Sequence, residues 1–171
     1  MKDRKYLSKS ILFLALSGVS HSVMAAEAES AVPAPAVFVK TAAQAGMTEI
    51  ELGNIALQKS QDPTVRSFAQ RMVADHGKAN DELASIAQTK GIEAPTALDA
   101  EHQAMVNMMK QKSGADFDAE YSRHMTLDHN KAVALFESAT KSPDADFANF
   151  AKKTLPTLKE HKQLAQKLPA K

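Results

Sequence analysis

MVADHGKANDEL, residues 72–83, returns 53 residues later in altered form as MTLDHNKAVALF, residues 125–136. Both copies keep Met-x-x-Asp-His-x-Lys-Ala. In each, apolar residues recur at steps of three and four, the period of one face of an α-helix. Met72, Ala79 and Leu83 share that face with His76, and Met125, Ala132 and Phe136 share it with His129. An imidazole in the middle of an apolar stripe is costly unless something inside the fold receives it. The two stretches therefore predict long buried helices that carry a polar group inward.

Outward from them the chain reads as helix almost throughout, with strand signals absent and only 6 glycines. A first helix is predicted from about Phe38 to Ser60. Asp62-Pro63 places an N-cap before a proline at the first helical position, so a second helix opens there and runs to about Lys90. Gly91 is its expected C-terminal cap. A shorter segment spans Leu98 to Lys112 and is closed by Ser113-Gly114. A third long helix is expected from about Asp116 to Lys141. Ser142-Pro143 repeats the cap-plus-proline device and opens a last helix to about Leu168, which Pro156 should kink near Thr154 to Thr157. The prediction is all-α: an antiparallel four-helix bundle over residues 38–168. An additional short helix lies between the second and third long helices, across one end or as an extension of the third.

The same tracing puts one ionisable group inside the stripe of every long helix. The first helix reads Phe38, Ala42, Ala45, Glu49, Leu52, Ala56, and the second Val65, Phe68, Met72, His76, Ala79, Leu83, Ile86. The third reads Asp118, Tyr121, Met125, His129, Ala132, Phe136. The last reads Phe147, Phe150 or Ala151, Thr154, Leu158, His161, Ala165, Leu168. Antiparallel packing can bring mid-helix positions into one layer. Glu49, His76, His129 and His161 are thus candidate metal ligands, with Met72 and Met125 as weaker candidates, because each sulfur stands one turn from an imidazole. Imidazole with thioether can hold copper(I), whereas three imidazoles with a carboxylate suit zinc or iron. Methionine is also an ordinary core filler. Asp75 and Asp128 project about 100° from their histidines, placed to pair with Lys or Arg on a neighbouring helix or to orient another helix's imidazole. His102 and His124 read as surface residues, Lys78 and Lys131 as solvated, and Tyr121 as a possible donor into the layer.

The start of the chain carries a different message. MKDRKYLSKSILFLALSGVSHSVMA combines a basic n-region, an apolar stretch from Ile11 to Val19 and a small-x-small ending at Ala25, the pattern of a secretory signal peptide over residues 1–25. The apolar run is well short of the roughly 20 residues that span a bilayer, so no transmembrane anchor is expected in the mature chain. AEAESAVPAPAV, residues 26–37, reads as an Ala/Pro-rich linker. Loss of residues 1–25 removes four basic residues (Lys2, Arg4, Lys5, Lys9) and one acidic residue (Asp3), turning 21 basic and 20 acidic into 17 and 19. A near-neutral chain with interspersed charges offers no stripe for nucleic acid. Without cysteine there is no disulfide framework and no thiolate chemistry. Gly-rich phosphate loops and Gly-x-Ser-x-Gly elbows are likewise absent from the sequence.

FVKTAAQAGMTEIELGNIAL, VRSFAQRMVADHGKANDEL, FDAEYSRHMTLDHNKAVALFE and FAKKTLPTLKEHKQLAQKL resemble, in order and spacing, the bacterial domain-of-unknown-function family 4142. The resemblance spans about Phe38 to Leu168. It implies an exported, ferritin-like helical bundle and brings no established activity. Members often carry an outer-membrane label, but this sequence has no alternating strands for a barrel, so a periplasmic protein is expected. Di-iron bundle sites use Glu-x-x-His from two helices. That motif does not occur here, so ferroxidase chemistry is disfavoured and the reading leans away from an enzyme. Two functions remain: a periplasmic bundle binding copper, zinc or iron through its inner His/Glu layer, and a structural or stress-related interaction protein whose polar layer only fixes register. Neither names a protein partner.

Overall fold

A computed structural model describes residues 31–169 of the 171-residue chain. The expected signal peptide, residues 1–25, and the first five residues of the expected linker lie outside the described residues. Within them the chain forms five α-helices and no strand: α1 Pro35–Lys59, α2 Pro63–Thr89, α3 Ala100–Gln111, α4 Gly114–Ala139 and α5 Ala145–Ala165. No helix is long and apolar enough to cross a membrane among these residues.

The helix ends follow local chemistry. The Asp62 side chain accepts from the amides of Thr64 and Val65 at 2.7 and 3.0 Å, with Pro63 behind it. At the far end of α2, Gly91 takes φ +67° and Ile92 N–H donates to the Ala87 carbonyl at 2.9 Å, closing a Schellman turn. Two expected boundaries move. Pro35 to Val37, read as linker, form the first turn of α1 because proline preorganises a first helical position. The last helix is opened by Asp144, not Ser142: Asp144 accepts from the Asp146 amide at 3.0 Å, and Ser142 accepts from the Asp144 amide one step earlier. Pro156 does not interrupt α5. It and Lys152, whose carbonyl loses its helical donor, are both exposed to solvent, where an unpaired carbonyl costs little.

Helix α1 packs mainly on α2 and α4 mainly on α5, and contacts of α1 with α4 and of α2 with α5 close the ring. The buried apolar residues fall into two clusters. One gathers Leu52, Ile55, Ala56 with Val65, Phe68, Met72, Phe117, Tyr121, Met125 and Ala165. The other gathers Phe38, Val39, Ala42 with Leu83, Ala87, Val133, Phe136, Phe147, Phe150 and Leu158. Chain direction can be read from that division. Helices α2 and α4 run from the first cluster to the second, and α1 and α5 run the opposite way. Each helix therefore lies antiparallel to both of its ring neighbours. The repeated motif sits on the two parallel, diagonally placed helices, so its residues occupy matching heights.

Since α2 ends at the second cluster and α4 begins at the first, residues 90–113 must return along the molecule. They do so beside α1, neither across one end nor as an extension of α4, which corrects the expected placement of the short helix. Gln44 fastens the start of this connector, donating to the Ala97 carbonyl at 2.9 Å and accepting from the Asp99 amide at 3.0 Å. Lys59 fastens its end, donating to the carbonyls of Lys110 and Lys112 at 2.5 and 2.6 Å. Between those fastenings Val106 and Met109 of α3 are fully buried in the first cluster.

Candidate metal centre

Between the two apolar clusters lies one polar layer, to which each long helix contributes a side chain: Glu49 from α1, His76 from α2, His129 from α4 and His161 from α5. All four are buried, with 2, 7, 0 and 1 % of their surface exposed. The imidazole centroids of His76, His129 and His161 are 5.4 to 5.7 Å apart. One ligand atom from each of the three falls within 4.8 Å of the others.

Glu49 is the anion of the layer. Its Oε2 is 2.5 Å from His76 Nε2 and its Oε1 is 3.3 Å from His129 Nδ1. Burial alone would raise this carboxyl. The facing imidazoles of His76, His129 and His161 outweigh burial and hold it at about 2. Burial likewise pushes the His76 imidazole down, and the Glu49 carboxylate pulls it above its ordinary value. The two form an ion pair at contact distance through Oε2, and neither His76 Nε2 nor the other carboxylate oxygen, Oε1, has an aligned hydrogen-bond partner.

His129 and His161 are oriented by their outer nitrogens. His129 Nδ1 donates to the Met125 carbonyl at 2.9 Å, and its Nε2 is buried without a partner. His161 Nε2 donates to Asp75 Oδ2 at 2.9 Å, and its Nδ1 is left in the same condition. Burial lowers the His161 imidazole to about 4, against the pull of Asp75, so this ring is neutral near pH 7. A neutral imidazole held by a carboxylate on one nitrogen, with the other facing inward, is the arrangement found behind metal-bound histidines. Burial would raise the Asp75 carboxyl, but His161 and Arg71 hold it below its usual range. Arg71 contacts Asp75 at 3.3 Å and makes a two-pronged bridge to Glu160 at 2.7 and 2.5 Å.

The structure thus gathers Glu49, His76, His129 and His161 in one place and puts Asp75 behind another helix's imidazole. Met72 and Met125 are fully buried in the adjoining apolar cluster. Other expectations change. Tyr121 does not donate into the layer: its hydroxyl is buried without a partner, and burial pushes the phenol well up. His124 is no surface residue, being 8 % exposed, with Nε2 2.7 Å from Asp128 Oδ2. Asp128 serves that neighbour and Lys131 of its own helix, whereas Asp75 serves a different helix. The four-residue interval between His124 and Asp128 was the signal in the sequence. Gln44 and Thr48 are buried polar residues of α1 that the tracing by threes and fours passed over.

A cavity of about 180 Å³ reaches Glu49 and His76 from the second cluster, walled by Ala42, Ala79, Leu83, Phe136 and Leu158, with His102, Asp128 and Lys131 on its outer side. The layer is a cluster of nitrogen donors with one carboxylate among them and a cavity leading toward it. That donor set fits a divalent or soft monovalent transition metal.

The chain belongs to the family described as Domain of unknown function (DUF4142), whose pattern matches residues 20–168. No curated protein matches it. Among solved structures it is similar to the DUF305 fragment from Deinococcus radiodurans, with a TM-score of 0.69 and 19 % identity, covering 80 % of this chain and 95 % of that one. It is also similar to CopM in the Cu(I)-bound form, with a TM-score of 0.66 and 16 % identity over 79 and 94 % of the two chains. CopM in the Cu(II)-bound form gives 0.65 and 16 % over 78 and 93 %. At these identities the likeness is one of fold.

Proposed function

We propose that this DUF4142 protein is an exported, periplasmic metal-binding protein. In this reading a ferritin-like antiparallel four-helix bundle holds one transition-metal ion through His76, His129 and His161, with Glu49 as fourth ligand or counter-charge. The observation that carries the reading is the pair of buried, bare imidazole nitrogens on His129 and His161, beside His76, with ligand atoms of all three within 4.8 Å. Leaving such nitrogens unsatisfied in a core is costly unless something occupies them. Ligand nitrogens sit about 2.0–2.1 Å from an ion such as zinc, so a small inward movement of the rings completes the site. Copper is the preferred ion because the copper-bound forms of CopM share this fold, and imidazole suits it as well as zinc or iron. Met72 and Met125 then act as packing beside the ion.

The test is elemental analysis of untagged protein, followed by copper and zinc titration of the wild type and of a His76→Ala, His129→Ala double variant. One ion per chain, lost in the double variant, is expected. Unchanged binding in the variant would refute the reading. A wild type that takes up no ion would favour the second one, a polar layer that fixes helix register. The specific support for that alternative is the contact of Glu49 with two imidazoles and of Asp75 with the third.

A further inference from the structure

A second group of metal-capable side chains lies outside the buried layer. On α3, His102, Met105 and Met108 follow one another at three-residue steps and so share one face. They line a cavity of about 370 Å³ with His124 and Asp128 of α4 on its other side. Met105 and Met108 are partly buried against the core, with the rest of their surface open. Both histidines are held by carboxylates: His102 Nδ1 is 2.7 Å from Asp99 Oδ1, and His124 Nε2 is 2.7 Å from Asp128 Oδ2. The hydrogen bond to Asp99 takes His102 Nδ1 and leaves its Nε2 for an ion, whereas His124 Nε2 lies against Asp128 without hydrogen-bond alignment and has no other partner.

We propose that His102, Met105, Met108 and His124 form an outer docking site for a soft monovalent cation, Cu(I) or Ag(I), at the mouth of the route to the buried layer. Thioethers are soft ligands that cannot be protonated in water, and they select monovalent copper over the hard divalent ions. A half-open cavity suits an ion that must leave again. His102, Asp128 and Lys131 line both this cavity and the inner one that ends on Glu49 and His76. An ion released from the methionines therefore meets the wall of the inner cavity next. The docking site stands on its own residues, while its role as an antechamber rests on the metal-binding reading of the layer.

The experiment is titration of the untagged protein with silver nitrate in chloride-free buffer, read by native mass spectrometry and by methyl NMR of ¹³C-labelled methionine. Silver(I) is used because it does not change oxidation state. The wild type is expected to take two ions, with the Met105 and Met108 methyl signals shifting. Met105→Leu with Met108→Leu keeps the side-chain volume and is expected to lose one ion, or to bind it at least tenfold more weakly. His129→Gln is expected to lose the other while the Met105 and Met108 shifts persist. Two ions held with unchanged affinity by the Met105→Leu, Met108→Leu variant, or silent Met105 and Met108 signals in the wild type, would overturn the outer site. If the methionine variant loses its ion and His129→Gln loses none, the outer site stands and the inner reading falls.

Discussion

At the scale of single residues, two histidines of the layer respond to pH in opposite senses. His161 is lowered to about 4 from an ordinary value of 6.5, so the unfolded chain takes up a proton that the folded ring refuses. Its stabilising effect is complete above about 6.5 and is lost as pH falls toward 4. His76 is raised, so its contribution is present below 6.5 and lost as pH climbs through its folded value. Between pH 6 and 4 His76 is protonated in both states and adds no slope. We expect the metal-free protein to lose about 2 kcal/mol over that window through His161. Denaturant melts at pH 6 and pH 4 check this, and a His161→Gln variant should flatten the dependence. Asp75→Asn should instead leave metal stoichiometry intact and weaken affinity by roughly 10- to 100-fold, measured by competition with a chelator. The sequence showed Glu49, His76, His129 and His161 because each breaks an apolar stripe. It could not show which nitrogen of each ring is bare, since that depends on the Met125 carbonyl and on Asp75, groups whose roles exist only after packing.

At the scale of elements, the connector between α2 and α4 depends on a few polar fastenings. Gln44, 4 % exposed, supplies both a donor and an acceptor to residues 97 and 99. Gln44→Leu should leave the Ala97 carbonyl and the Asp99 amide without these partners and cost about 1–3 kcal/mol. Hydrogen exchange should then accelerate at the start of α3 while α2 and α5 stay protected. The element boundaries at Asp62 and Gly91 were legible because an N-cap before proline and a left-handed glycine have few other uses. The start of α5 was misread because two Ser/Asp cap candidates flank Pro143, and only the backbone decides between them. The path of α3 was not legible either. The length of a connector says how far it can reach, not which helix it lies against.

For the whole molecule, the polar layer sits at the junction of two apolar clusters and is a cost to the metal-free fold. Replacing all four residues together, Glu49→Leu, His76→Leu, His129→Phe and His161→Leu, should raise the stability of the metal-free protein by about 1–4 kcal/mol and abolish metal binding. In the wild type, saturating metal should raise the melting temperature, since only the folded state gathers the ligands. Calorimetry with and without ion tests both outcomes. The opposed directions of the helices also fix where the chain enters and leaves. Helix α1 starts at the second cluster and α5 finishes at the first, so the two ends of the described fold stand about one helix apart, near 37 Å for the 25 residues of α1. A circular permutant would therefore need a bridge of at least about 11 extended residues. A cargo fused before α1 would ride at the opposite pole from one fused after α5.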